Sequence, residues 1–577
     1  MIKIGGLSVE GDIGWPKGVN TFVEPHLLQP GEASDCFNVS RAPESAAWAH
    51  RPAFQVKQFM WGVGADQQLW SGPLQATCCQ YDSDVHYAVR GGRMFTFEPT
   101  SAGVWVARCV TRDALLRSRG QVWLTGVPGG AIANDGRNRP VYGHPKYAQP
   151  VGNTFTDIRA GRAGVYTQGR FFYVTTDGKS ILASDLDNPV SMQEAVDTNV
   201  YGWDAPERKD DILALHAHRV LNNDVELGDL VFSTGTNVYT VDTRGDRGSW
   251  STSKLGRVQM ALPDISFAGP RAAAVVNSNI FFRAAEPGMN LCMFNQLGQQ
   301  FTQADAFSGQ FLEADAWLNA DGPAFKDWTV VASFGSLVLA TGGPRVTGDG
   351  TIFHAYMLAF EAIKGTAEGL KFQGVWTGPR VLDISVARKG RHRGMVAWGL
   401  TDSGDVMAWG MHPKCTHDTT HMGAPKQIHS AVLSRGYYHQ SAFAPKEPQT
   451  QEIFLRGGVG KTDITLAHRL SSYGRWQSIR TRSINVPAGT VGPYNFGSST
   501  ATGDTPGIPG GVFNVEQVLV AWKGSAALAG IGTEAKWVAK EIPSVVDDAC
   551  GLRDFTANDP LADDVVEGVV TLDTEYL

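Results

Sequence analysis

The sequence predicts an all-β architecture: a β-propeller of about six blades with an additional β-rich domain. Three observations lead there. Short runs of β-branched and aromatic residues alternate with turns built on Gly, Asp and Asn through most of the 577 residues, which is the pattern of antiparallel hairpins. The hairpins recur every 40 to 60 residues or so, with about four short strands per unit, as propeller blades do. No sustained helical periodicity interrupts them. Small antiparallel sheets packed face to face around an axis bury both faces and expose only short edges, which gives the repetition a physical sense.

The unit is plainest between Gly164 and Pro189. A run from Phe171 to Thr175, a turn carrying Asp177-Gly178 and a second apolar run from Ile181 to Ala183 predict one hairpin. Before it, residues 1–54 show little periodicity and many turn formers, and predict a loop-rich segment that packs on or closes the propeller. The propeller is expected over 55–443. Its meanders begin with Tyr87 to Arg90, Met94 to Phe97 and Val104 to Val110, then Gln121 to Thr125 with Gly130 to Asn134. After the hairpin come Ile212 to His216, Leu230 to Ser233 and Asn237 to Val241, then Ala272 to Val276, Asn279 to Arg283 and Leu291 to Phe294. Trp328 to Ala332, Leu337 to Thr341 and Ala355 to Phe360 form another, and Val381 to Val386, Gly394 to Gly399 and Val406 to Gly410 the last. The count is about six or seven, and six is preferred. Asp113 to Arg119 offers a single helical turn.

Residues 444–577 predict a C-terminal β domain. The polar, Pro-bearing stretch Ala444 to Gln451 reads as a hinge. Strands are expected at Ile453 to Arg456, Asp463 to Ala467, Trp476 to Ile484, Val515 to Trp522 and Lys536 to Ile542. Tyr494 to Gly511, rich in Gly, Ser, Thr and Pro, reads as a long surface loop.

Composition excludes several classes. Sixty-six glycines and 29 prolines beside 42% hydrophobic residues describe a folded chain full of turns, not a disordered one. A formal charge of −7 argues against a basic groove that grips phosphates. It is compatible with DNA sliding through an acidic or neutral channel. The cysteines, seven in number and irregularly spaced, imply reduced thiols and folding in a cytoplasm. The N-terminus lacks the basic and apolar regions of a secretion signal, and no apolar run reaches the roughly 18 residues of a membrane span.

Several motifs invite chemical readings. Cys415, His417 and His421, with Asp418 between them, are ligands zinc accepts. The cluster lacks the second Cys of a structural finger, and a polar loop between blades is the better account of it. Gly457-Gly-Val-Gly-Lys-Thr462 ends like a phosphate-binding loop, but Leu455 stands where that motif needs its first Gly, and strands surround it; it reads as a hairpin turn. Arg244-Gly245-Asp246 is a tight turn. Asp177-Gly178, Asp349-Gly350 and Asp402 to Asp405 resemble sialidase turns without the Ser-x-Asp-x-Gly-x-x-Trp phrase. No nucleophile elbow or His-Glu-x-x-His helix is present, so no catalytic residue and no cofactor is assigned. The 16 tryptophans and 27 phenylalanines are expected to fill the interfaces between sheets. Arg388 to Arg393 and Arg475 to Arg482 are basic clusters, solvated or facing DNA or a neighbouring subunit.

A resemblance adds to this reading. Leu28-Gln29-Pro30-Gly31-Glu32, then Asn38, then Arg51-Pro52 form a sequence of phrases at the N-terminus. Ile132-Ala-Asn-Asp-Gly136 before Arg139-Pro140, and Ala183-Ser-Asp-Leu-Asp-Asn-Pro189, follow. Together, across roughly the first 250 residues, they resemble nozzle (tail tubular protein B-like) β-propeller proteins of short-tailed bacteriophages. The resemblance implies a structural virion protein of the tail, made in the host cytoplasm. It implies a homo-oligomer, a hexamer, hung below an adaptor ring and supporting fibre or spike proteins. Double-stranded DNA would traverse its channel without sequence-specific binding. The channel or gate loop candidates are then Arg388, Lys389, Arg391 and Arg393, with Tyr494, Asn495 and Phe496. The alternatives are a propeller enzyme or lectin acting on host surface polysaccharide, and another propeller-bearing tail hub component.

Overall fold

In the computed structural model the described residues lie between Leu7 and Trp537. Outside them are 1–6, 538–577 and a set of connecting segments that includes 151–159, 258–272, 304–328 and 387–396. The described chain is strand, turn and bend, with no helix long and apolar enough to cross a membrane among the described residues.

Four-strand antiparallel units succeed one another along the chain. The first is Leu74–Cys79, His86–Arg90, Arg93–Pro99 and Trp105–Cys109. The second runs from Trp123–Val127 through Gly130–Asn134 and Val141–His144 to Tyr147–Pro150. The third holds the expected hairpin, with Gly161–Thr167, Arg170–Thr175, Ser180–Ala183 and Val200–Gly202. Further units open with Ile212–Asn222, Ala273–Val276 and Thr329–Phe334. The last comprises Val381–Val386, Ala397–Thr401 and Val406–Gly410, and takes its outer strand, Ala53–Lys57, from the N-terminal segment. Each opening strand lies against the opening strand of the next unit, and Val381–Val386 returns to Leu74–Cys79. The ring is closed, a β-propeller, with seven such units among the described residues, the higher of the two counts the sequence supports.

Alternation within a strand explains why the apolar runs are continuous. Successive side chains point to opposite faces, and in a propeller both faces are buried. Phe171 and Tyr173 pack with Val127, Ile132 and Tyr142 of the second unit, whereas Phe172 and Val174 pack with Leu230, Phe232 and Val241 of the fourth. Aromatic side chains do fill these interfaces, the Phe232 and Tyr239 rings being stacked at 5.1 Å. Close approach at the inner strands requires glycine: a Cβ on Gly126 would sit 1.9 Å from the Cys79 carbonyl oxygen in the neighbouring unit.

The second domain is a pair of sheets. One has the order Val39–Arg41, Trp48–His50, Ala527–Trp537, Lys446–Arg456 and Val491–Ser498, with Leu7–Ile13 also laid along Ala527–Trp537. The other has the order Glu32–Phe37, His429–Ser434, Gln517–Lys523, Lys461–Arg469 and Gln477–Asn485. Trp48, Ile453, Ile464, Leu466, Val520 and Ile531 are among its buried residues. Through a parallel contact of Phe37 with Val375, this second sheet runs on from Leu370–Thr377, the outer strand of the sixth propeller unit.

Four sequence expectations are corrected here. The N-terminal segment is strand-bearing: Leu7–Ile13, Glu32–Phe37 and Ala53–Lys57 pair with strands hundreds of positions away, which no local pattern announces, and Val39–Arg41 pairs with Trp48–His50. Ala444 to Gln451 is no hinge: from Lys446 it is strand paired with Ala527–Trp537, and from Thr450 it pairs with Val491–Ser498 as well. Tyr494, Asn495 and Phe496 lie in Val491–Ser498, not in a loop, and Phe496 is buried; 499–507 lies outside the described residues. Gly457 to Gly460 does not turn a hairpin, since the strands it joins belong to different sheets. Gly457 and Gly458 answer to crowding, and Gly460 to a left-handed backbone, φ 82°. A Cβ on Gly457 would meet the Pro487 carbonyl oxygen at 1.9 Å, and one on Gly458 the Ser525 carbonyl carbon at 2.5 Å.

Gly126→Ala is expected to lower stability by about 1–3 kcal/mol through overpacking, read as a urea midpoint. Gly492→Ala, where the nearest atom to the added carbon is 4.0 Å away, should leave the midpoint unchanged.

Candidate functional site

The residues with the most demanding chemistry lie where the propeller closes. Arg51 and Asp418 are both buried and form a bidentate pair, Nη1 to Oδ1 at 3.0 Å and Nη2 to Oδ2 at 2.6 Å. Both partners make further contacts. Arg51 Nε donates to Asn38 Oδ1 at 2.9 Å and Nη1 to the Pro52 carbonyl at 3.0 Å, and the guanidinium stacks 4.2 Å above the Phe54 ring. The Phe54 amide donates to Asp418 Oδ1 at 2.8 Å. Asn38 holds a left-handed backbone, φ 52°, which asparagine tolerates better than most residues. A buried pair repays its desolvation only with geometry of this kind.

A second seam sits at the inner strands. Asp383 of the last unit accepts the Thr77 amide of the first at 3.0 Å, and the Ser385 hydroxyl lies 2.8 Å from His86 Nδ1 and 3.3 Å from the Thr77 hydroxyl. Burial pushes His86 down to about 3, so the ring is neutral at physiological pH.

The C-terminal domain carries a polar seam of its own. Glu10 pairs with Arg435 at 2.8 Å and accepts the His439 amide; His439 Nε2 lies 3.0 Å from the Thr533 hydroxyl. Buried Glu516 bonds His468 Nδ1 at 2.6 Å and the Gln451 amide. Lys446 Nζ donates to the carbonyls of Ser441, Ala444 and Asn514 at 2.6, 2.6 and 3.0 Å. Burial pushes that amine down to about 8, and the nearby Glu10 charge opposes the shift. These residues carry no signal in the sequence, since Glu10 meets Arg435 and His468 meets Glu516 only across the folded sheets. Of the closing seam, Asn38, Arg51 and Asp418 belong to phrases that stand out in the sequence.

The expected site residues separate. Cys415 is half-buried with its sulfur 3.8 Å from Gln55 Nε2, His417 is exposed with Nδ1 3.0 Å from the Thr416 hydroxyl, and His421 lies outside the described residues. Asp418 is committed to Arg51. Among the described residues no group of three or more His, Cys, Asp or Glu side chains is placed to hold a metal. Arg388, Lys389, Arg391 and Arg393 lie outside the described residues, as do Arg244 to Asp246. Arg482 covers Phe496, its guanidinium 5.6 Å from the ring, and donates to the Asn495 carbonyl at 2.7 Å. Tyr494 is half-buried in the same strand.

Fold and seams define a closed β-propeller joined to a two-sheet β domain. No family model matches the chain and no curated protein matches it. Among solved structures, the chain is similar to the computationally designed Ika8 protein, at 10% identity and TM-score 0.34, over 59% of this chain and 97% of that one. YCF48 from Cyanidioschyzon merolae is similar at 10% identity and TM-score 0.36, over 62% and 98%. A puromycin hydrolase variant is similar at 12% identity and TM-score 0.32, over 68% and 61%. Likenesses of this size bear on neither activity nor partner.

Two outcomes are expected. Arg51→Met, which strands the Asp418 carboxylate in the interior, should cost about 3–5 kcal/mol by chemical denaturation. For His86, the folded form stays neutral where the unfolded form protonates, so its contribution is complete above about 6.5 and is lost as pH falls toward about 3. At pH 5 the loss amounts to about 2 kcal/mol, and His86→Asn should flatten that slope in urea titrations at pH 7 and pH 5.

Proposed function

We propose that the chain is a structural virion protein, the tail nozzle of a short-tailed bacteriophage, acting by assembly with no bond broken. Six copies would form a ring under an adaptor ring, carry fibre or spike proteins and enclose a channel for DNA. The observation that carries this reading is the use the fold makes of the phrases that resemble those proteins. Gln29 to Glu32 is a turn closed by the Glu32 amide on the Gln29 carbonyl at 3.0 Å and by the Glu32 carboxylate on the Gln29 amide at 2.8 Å, with Gly31 at φ 87°. Arg51 is one member of the buried pair and Asn38 accepts from its Nε. Asp135, fully buried, accepts the amides of Arg117, Arg137 and Asn138 at 2.7 to 2.8 Å. Ser184 accepts the Phe171 amide at 2.8 Å. The phrases are thus turn and junction parts of a scaffold, the kind of residue a shared architecture retains.

One surface favours the polysaccharide-binding reading. Tyr81 and Tyr166 meet edge to face at 4.8 Å, half-buried at one face of the propeller, and the charges of Asp187 and Asp82 reach the Tyr166 phenol, which burial chiefly pushes up to about 12. Mass photometry of the purified protein, with a glycan binding and depolymerisation screen, tests the choice. A ring of six 62.2 kDa chains that leaves glycans intact is the expected result. A stable monomer that binds or cleaves a surface polysaccharide would overturn it.

A further inference from the structure

One sheet of the β domain ends on Gln477–Asn485. Gln477–Asn485 is the last strand of its sheet, and among the described residues no further strand pairs with its outer side. A long uncovered edge is a template for another strand. The opposite sheet also ends on an edge, Val491–Ser498, but Pro493 interrupts that one and cannot donate a ladder hydrogen bond. Gln477–Asn485 has no proline. It carries Arg480 and Arg482, both half-buried. Arg482 gives one hydrogen bond to the Asn495 carbonyl, and a guanidinium has five donors.

The chain contains a segment of matching chemistry. Residues 538–577 hold ten carboxylates against Lys540 and Arg553, more than the whole formal charge of −7, so the chain before them is close to neutral. Within this segment, Asp563-Asp-Val-Val-Glu-Gly-Val-Val-Thr-Leu572 is rich in the β-branched residues that favour strands. The segment departs from the correct end of the domain. Trp537 pairs with Lys446, which bridges to Phe513. Four residues on, Gln517 stands opposite Arg469, beside the His468 to Gln477 pair at which the uncovered strand begins. Residues 538–562 give a reach of roughly 25–30 Å by chain-length scaling, about the width of five strands.

We propose that the acidic segment Asp563 to Leu572 adds a strand to the outer side of Gln477–Asn485, with its carboxylates toward Arg480 and Arg482. The inference does not depend on the nozzle reading.

Hydrogen exchange of the full chain, followed by mass spectrometry on peptides covering 477–485, tests it. The expected result is protection that is independent of protein concentration. It should fall ~10-fold or more when Val566→Pro and Val570→Pro remove ladder donors from the segment, and partly when Asp563→Asn, Asp564→Asn and Glu567→Gln remove its charge. Exchange unaltered by the paired proline substitutions would overturn the proposal. So would protection that rises with protein concentration, since a second copy would then occupy the edge.

Discussion

The buried pair of Arg51 and Asp418 is the interaction on which the remaining structure depends. A propeller is stable only when its ring closes, because an open ring leaves unpaired strand edges and uncovered apolar faces. Here closure joins residues at the two ends of the propeller sequence. Ala53–Lys57 must find Val406–Gly410 in one register, with Val56 opposite Met407, and the ion pair beside it fixes that register. Its geometry resolves the usual objection to buried charge. Every oxygen of Asp418 has a donor, and Arg51 spends its other contacts on Asn38, Pro52 and the Phe54 ring. The inner seam of Asp383, Thr77, Ser385 and His86 closes the same junction from the axis side.

The N-terminal segment also binds the two domains into one body. Glu32–Phe37 pairs with His429–Ser434 in the β domain and touches Val375 of the propeller. Trp376, fully buried in the outer strand of the sixth unit, donates its indole N–H to the Val39 carbonyl at 2.6 Å. Leu7–Ile13 then lines Ala527–Trp537, held through Glu10. One stretch of some fifty residues therefore contributes strands to both sheets of the β domain and to the ring. Rotation of one domain against the other would have to break the Phe37 to Val375 pairing and the Trp376 to Val39 hydrogen bond.

Legibility in the sequence followed the range of the interactions. Hairpins with tight turns, such as Arg170–Thr175 with Ser180–Ala183, are encoded locally: apolar runs mark strands buried on both faces, and Asp177-Gly178 marks the turn, Gly178 at φ 72°. Outer strands such as Tyr147–Pro150 and Val200–Gly202 were missed because they are short and lack a clear apolar pattern. Polar strands were read as loops for the same reason. Lys446 pairs through its main chain with Trp537, and its buried ammonium is accommodated by three carbonyls, contacts no periodicity displays. The Gly457 to Gly460 segment gave a false phosphate-loop echo because crowding by Pro487 and Ser525 also demands glycine. Of the candidate site, Asp418 was visible as a possible ligand, but its partner Arg51 lies 367 positions away.

Disulfide trapping across the closing strand tests the central claim most directly. In a Val56→Cys and Met407→Cys double variant, mild oxidation followed by peptide mapping should yield a 56–407 crosslink within one chain, with a raised melting temperature. Absence of that crosslink, or a crosslink only between chains, would contradict closure of the ring by its own N-terminal strand.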